Sequence, residues 1–192
     1  MKILKGKYKG KTLQYEQANL QLRPVTNKIK ESYFSTIESY FTSFYKLRFL
    51  DLFCGSISMS LEALSQNFAY VCGIELDKKK NNMIFNNLNI LNKEDKIKAK
   101  IYFIDVIDFV KKYKNKEDFY DVIYIDPPFP FVNKQDILIK LSQSNLIKKR
   151  SMITIHHPIK ELLKDEYVDK NHLILYKEKV FGFSKLNYYI VT

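Results

Sequence analysis

A chain of 192 residues, 46% hydrophobic and 15% aromatic, has material for one sizeable core and at most a small appendage. Its net charge of +11, from 32 Lys plus Arg against 21 Asp plus Glu, suits a polyanionic partner. The apolar runs are too short to span a bilayer and MKILKGKYKGK lacks the apolar stretch of a signal peptide, so a cytoplasmic protein without a membrane partner is expected. Cys54 and Cys72 fit neither a disulfide framework nor a zinc spacing and read as small buried hydrophobes.

The basic excess is concentrated at the start. Residues 1–30 hold Lys2, Lys5, Lys7, Lys9, Lys11, Arg23, Lys28 and Lys30 against Glu16 alone, a net of +7. A Lys-rich arm nearly free of acids offers contacts to nucleic-acid phosphates. Lys2 to Leu13 reads as a short hairpin with Gly6 and Gly10 at turn or bulge positions. In Leu22-Arg23-Pro24-Val25-Thr26-Asn27, Pro24 biases Arg23 toward extended geometry, and Thr26 or Asn27 can cap the next helix. That helix carries Ile29, Tyr33, Ile37 and Phe41 on one face. Residues 1–26 are thus expected to form a basic extension and residues 27–192 the main domain.

Strands and helices then alternate. Strands are predicted at Leu47–Phe53, Tyr70–Glu75, Ile101–Asp105, Tyr120–Asp126 and Ser151–His156. Helices are predicted at Ser58–Ser65, Lys78–Leu91, up to Lys112, Asp136–Leu146 and Ile159–Leu163, and two closing apolar runs, His172–Phe181 and Leu186–Val191, flank Gly182. This alternation predicts an α/β fold of Rossmann-like type, a mostly parallel sheet with an antiparallel strand at one edge. Ligands of such sheets sit beyond the carboxyl ends of the strands.

Those ends carry a pattern. The first strand runs into Asp51-Leu52-Phe53-Cys54-Gly55-Ser56, where a glycine lets backbone approach a ligand; the further glycines of a dinucleotide site are absent. Glu75, twenty residues after Gly55, suits the two hydroxyls of a ribose. Asp105 can accept from an adenine amine, or cap the following helix, or both. Polar acceptors without a phosphate cradle suit S-adenosylmethionine. The fourth strand ends in Asp126-Pro127-Pro128-Phe129, where two prolines remove backbone donors and stiffen the turn. Acceptors from Asp126 and the Pro127 carbonyl suit a planar exocyclic amine, with Phe129 stacked on its base.

With these residues assembled, the chain resembles the RsmD family of ribosomal RNA guanine-N2 methyltransferases over nearly its whole length. The likeness runs through Ile3-Leu4-Lys5-Gly6-Lys7-Tyr8-Lys9-Gly10, Leu22-Arg23-Pro24, Lys30-Glu31-Ser32-Tyr33-Phe34, Leu50 to Ser56, Leu61-Glu62-Ala63-Leu64-Ser65, Asp126–Phe129 and Lys177-Glu178-Lys179-Val180-Phe181-Gly182. The resemblance implies a seven-stranded class I methyltransferase fold, S-adenosylmethionine as cofactor, and as substrate a guanine in small-subunit ribosomal RNA within a partly assembled particle. Three departures stand out. Ile57 replaces a glycine of the cofactor loop, where a β-branched residue dislikes positive φ and adds bulk beside the cofactor. Val25 replaces a threonine. His156-His157 replace an acid and read as a surface feature of the strand end rather than a metal site.

In the resulting mechanism Asp51, Gly55, Glu75 and Asp105 hold the cofactor with help from Ser56. Lys5, Lys7, Lys9, Lys11, Arg23, Lys28 and Lys30 grip RNA phosphates. Asp126, Pro127 and Phe129 present a splayed-out guanine. Neither metal nor covalent nucleophile is needed, and a monomer suffices. The rivals are an adenine-N6 or other nucleic-acid methyltransferase using the same turn, a non-catalytic RNA-binding or assembly factor, and a small-molecule methyltransferase.

Overall fold

The apolar runs pair into one seven-stranded sheet. Its strands are β1 (Arg48–Leu52), β2 (Tyr70–Glu75), β3 (Ala99–Phe103), β4 (Val122–Ile125), β5 (Met152–Pro158), β6 (Leu173–Phe181) and β7 (Ser184–Val191), in the spatial order β3-β2-β1-β4-β5-β7-β6. The structure, a computed structural model, describes residues 1–15, 26–112, 119–128, 134–161 and 172–192. The first five strands are parallel, and β7 runs antiparallel to both β5 and β6. The closing hairpin therefore completes the sheet with its later strand lodged beside β5.

Helices cover both faces, as right-handed crossovers between parallel strands require. α1 (Asn27–Phe41), α2 (Ser58–Ser65) and α3 (Asn81–Leu88) share a core with Phe49, Tyr124 and Tyr188, while α5 (Val106–Lys112) and α6 (Lys134–Ser142) pack with Leu50, Leu52, Ile123 and Ile125. Alternation along β1 and β4 sends neighbouring residues to opposite cores. Thr26 caps α1 by accepting from the Ile29 amide at 3.3 Å. The helix predicted over Lys78–Leu91 is divided: a 3-10 turn at Lys78–Lys80 precedes α3, and Asn92 opens the separate short helix α4 (Lys93–Lys96). Of the helix expected over Ile159–Leu163, the described residues 159–161 form a turn closed by the Glu161 amide donating to the Pro158 carbonyl at 3.0 Å, and residues 162–163 lie outside the described residues. Among the described residues, no helix is long and apolar enough to cross a membrane.

The amino-terminal segment is fastened to this framework. A single antiparallel bridge joins Lys2 to Thr12, and Ile3, Tyr8 and Leu13 belong to the core shared with α1 and α2. Gly6 has φ +81°, and a Cβ there would lie 1.8 Å from the Ser65 carbonyl oxygen, so only glycine permits this approach to the end of α2. The Glu62 carboxylate, wholly buried in α2, accepts from the Leu4 and Lys5 amides at 2.8 and 2.9 Å. Lys30 lies 3.5 Å from it, equally buried.

Candidate active site

The sheet register gathers the strand ends. Leu52 of β1 is level with Ile74 of β2 and Ile125 of β4, so Glu75 and Asp126 emerge on either side of the loop that follows β1. Ile125 is level with Ile155 of β5, which places His156 next to Asp126. Strand order reverses between β1 and β4, the point at which open α/β sheets form their crevice.

On the β2 side, Glu75 is buried and fully engaged. Its Oε2 accepts from the Gly55 amide at 3.0 Å and from the Lys80 ammonium at 3.1 Å, and its Oε1 from the Asp77 amide at 2.9 Å. Glu75 and Gly55 are thus already joined across the predicted cofactor loop. Asp105 caps α5, its Oδ1 accepting from the amides of Ile107 and Asp108 at 2.8 and 3.1 Å. Ser56 is half-buried, and its carbonyl accepts from the Asn87 side chain at 2.9 Å. That same amide group also donates to the Gln14 carbonyl at 2.9 Å, tying the amino-terminal segment to the loop.

Ile57 corrects the expectation drawn from its type. It does adopt the left-handed conformation, with φ 57° and ψ 23°, at the start of α2. Its side chain, however, is wholly buried in the core beside α2 rather than adding bulk in the cleft. Phe53 and Gly55 also have positive φ, so the loop holds alternating left-handed residues of the kind found where backbone is fixed around a ligand.

Asp51 lies beneath this loop, buried, with Oδ2 accepting from the Ser60 hydroxyl at 2.7 Å and the Ser60 amide at 3.2 Å. Burial pushes its carboxyl up to about 7; the Ser60 bonds oppose the rise, and the charges of Asp126 and Glu75 add to it. Mutual repulsion among these acids makes the crevice a place where a cation is welcome and a pyrophosphate is not. The residues present therefore fit the sulfonium and ammonium of S-adenosylmethionine. Burial also pushes the Cys54 thiol well above its usual range, so no ready thiolate lies beside the loop.

On the β4 side, Asp126 is held by two donors. Tyr124 Oη lies 3.3 Å from Oδ2, and His156 Nδ1 lies 2.9 Å from Oδ1. Burial, with the Asp126 carboxylate beside it, pushes the Tyr124 phenol well above its usual range, so it stays protonated and donates. Pro127 is buried and Pro128 exposed. Phe129 lies outside the described residues.

The histidine pair corrects a second expectation. His156 and His157 are both buried in β5, which continues through Pro158 under the cover of β7, and are not a surface feature. Nothing in the sequence marks His156 for a role, yet it contacts Asp126 directly; its only signal is a polar residue near the end of the strand that pairs with β4. Its Nε2 lies 2.9 Å from Ser184 Oγ. Of the basic set, Lys5, Lys9, Lys11 and Lys28 are exposed, and exposed Lys7 pairs with Asp95 at 2.7 Å. Lys30 is removed from that set, because its ammonium is buried against Glu62 and cannot meet a phosphate. Arg23 lies outside the described residues.

A doubly wound sheet of this order, with acids at the carboxyl ends of β1, β2 and β4, is the class I S-adenosylmethionine-dependent methyltransferase fold. Residues 1–190 match the family described as Conserved hypothetical protein 95, and the chain belongs to it, the RsmD family. Ribosomal RNA small subunit methyltransferase D of Buchnera aphidicola (subspecies Acyrthosiphon pisum) is 31% identical over 99% of this chain and 93% of its own length. The Haemophilus influenzae protein of the same name is 30% identical over 98% and 93%. A solved Haemophilus influenzae structure, provisionally described as a methylase, is 28% identical with TM-score 0.77, covering 98% of this chain and 97% of that one. An Escherichia coli structure, provisionally described as a methyltransferase, shares the fold with TM-score 0.80 at 22% identity, over 100% and 97%.

Proposed function

We propose that this protein transfers a methyl group from S-adenosylmethionine to the exocyclic N2 amine of a guanine in small-subunit ribosomal RNA, free or in a partly assembled particle. One observation carries the reading: the Asp126 carboxylate is fixed by two donors at the end of β4, directly across from the acid-lined loop after β1. The names of the relatives and the exposed lysines of the amino-terminal segment support ribosomal RNA as the substrate.

Glu75 would hold the ribose, giving up Lys80, while Asp105 and the Gly55–Ser56 backbone border the adenosine and Asp51 supplies negative potential. When bound, the cofactor supplies an electrophilic methyl group. Asp126 and the Pro127 carbonyl accept the two N–H bonds of the amine, which turns its lone pair toward the crevice. Asp126 then takes the proton the amine loses and passes it to solvent. Phe129 stacks on the flipped base. The lysines reach phosphates at a distance from the target, since Gly6 docks at the far end of α2, an eight-residue helix about 12 Å long.

Incubating the protein with cofactor and small-subunit RNA or particles, then digesting to nucleosides for mass spectrometry, is expected to give N2-methylguanosine. N6-methyladenosine in its place would move the reading to the adenine class, and no methylated nucleoside from either substrate would overturn it. Cofactor binding carries a separate signature. A group whose folded value is raised to about 7 is close to half-protonated at neutral pH, and a cation arriving nearby drives that proton off. Affinity is therefore expected to rise between pH 6 and 8, with release of up to about half a proton at pH 7. Calorimetry in buffers of different ionisation heat measures this. A binding heat that tracks no buffer, or that vanishes altogether, contradicts the placement of the cation near Asp51.

A further inference from the structure

His156 is one of the two donors to Asp126 and makes the shorter of the two hydrogen bonds to its carboxylate, 2.9 Å against 3.3 Å from Tyr124. We propose that His156 is a positioning residue for methyl transfer, setting the orientation of Asp126 through an Nδ1–H bond to Oδ1 and itself set by Ser184 of the closing hairpin. The inference rests on the function proposed above.

The geometry leaves the ring little choice. An ionised carboxylate only accepts, so the 2.9 Å contact requires the hydrogen on Nδ1. Nε2 then faces Ser184 Oγ, also at 2.9 Å, whose hydroxyl can donate to it. That hydroxyl has a single hydrogen: given to Nε2, it leaves the 3.3 Å approach to the Phe181 carbonyl unbonded; given to that carbonyl, it leaves Oγ to accept from an Nε2–H, and in both cases Nδ1 keeps its hydrogen. The imidazole is 7% exposed, which leaves little room for water to compete for either nitrogen. It is placed there by register alone: His156 lies one residue past Ile155, level with Ile125, and opposite Leu186 on β7.

What this accomplishes follows from the softness of an aspartate. The terminal torsion of Asp is broad, so an unsupported carboxylate samples many planes. An amine held for in-line attack tolerates little of that, since misplacement on the order of 1 Å costs roughly 100-fold in rate. Tyr124, 3.3 Å from the other oxygen, is too distant to fix the plane by itself. His156 pins Oδ1 and leaves the remaining lone pairs of both oxygens for the substrate. The arrangement continues from Asp126 through His156 and Ser184 into the β6–β7 hairpin.

The test compares His156→Leu, which removes the donor, with His156→Asn, whose amide can replace the Nδ1–H. Leucine is expected to lower kcat about 10- to 100-fold with KM for cofactor and RNA within about twofold, and asparagine to recover most of that loss. Ser184→Ala should cost kcat several-fold by the same route. An independent readout needs no turnover: the chain has only three histidines, and nitrogen NMR of labelled protein is expected to show His156 with its hydrogen on Nδ1. If His156→Leu turns over within twofold of the parent while Asp126→Ala is inactive, His156 is only structural and this inference alone falls. If Asp126→Ala is fully active, the role given to the turn falls and the inference with it. Should the leucine variant fail to fold, judged by loss of cofactor binding, the asparagine variant and the NMR decide. An inactive asparagine variant with normal cofactor binding, or a hydrogen on Nε2 with Nδ1 bare, overturns the proposal.

Discussion

Asp126→Ala is expected to lower turnover by roughly 10²–10³-fold while S-adenosylmethionine still binds within a few-fold of the parent. The carboxylate is the acceptor that orients the amine and the first stop for its proton, so its loss is felt in the transfer step. Cofactor binding should survive because Asp126 acts on the β1 side only through its charge, which helps to raise the Asp51 carboxyl. Removing that charge lets Asp51 ionise more readily, and the proton release that accompanies binding should shrink in the variant. Asp126→Asn is the sharper comparison. It keeps an acceptor for His156 and for the amine but cannot take the proton, so it should fall between parent and alanine. Single-turnover kinetics beside a calorimetric titration separate the two effects. Near-normal turnover in the alanine variant, or equal loss of binding and turnover, would place the chemistry elsewhere.

Where the sequence could be read and where it could not follows from what each signal depends on. Ser58–Ser65 and Tyr70–Glu75 coincide with α2 and β2 because both are closed by local features, a polar residue before an apolar run and an acid after one. The same locality made Glu75 and Asp126 visible, since a charge at the end of a buried strand is conspicuous in a single chain. His156 was legible only in retrospect. Two consecutive histidines after an apolar run look like the wet end of a strand, and nothing nearby says that β7 folds back across them. Ile57 differs for a related reason: its type predicts the backbone strain, but the direction of its side chain is decided by the core around α2. Lys30 carried a signal that charge counting overrode. It stands three, four and seven residues before Tyr33, Phe34 and Ile37, on the buried stripe of α1. Glu62, lone acid amid Leu61, Ala63 and Leu64, is its counterpart on α2.

That pair sets the second large effect. Glu62→Ala is expected to destabilise the protein by about 3–5 kcal/mol, a large share of the roughly 5–15 kcal/mol that holds a domain of this kind folded. The loss has two parts. The Lys30 ammonium would stay buried with no counter-charge, retaining the Lys2 carbonyl 3.2 Å away as an acceptor. The amides of Leu4 and Lys5 would lose their acceptors, loosening the basic segment from α2. The parts separate with pH. Burial already lowers the Lys30 amine, and Glu62 partly offsets this. A lowered base gives up its proton in the folded state before the unfolded chain does, so stability gains as pH rises toward the ordinary lysine range. Without Glu62 the amine falls further, and the deficit measured by urea denaturation at pH 7 should narrow by pH 9.5. Combining Lys30→Met with Glu62→Leu removes both charges from the core and should recover the first part only, because the two amides remain unsatisfied. RNA affinity should then stay low and lose some of its salt dependence even where stability returns, while cofactor affinity is unchanged. A single Glu62 variant that costs under about 1 kcal/mol would mean that water reaches Lys30. The amino-terminal segment would then be held by its apolar residues, Ile3, Tyr8 and Leu13, and not by this carboxylate.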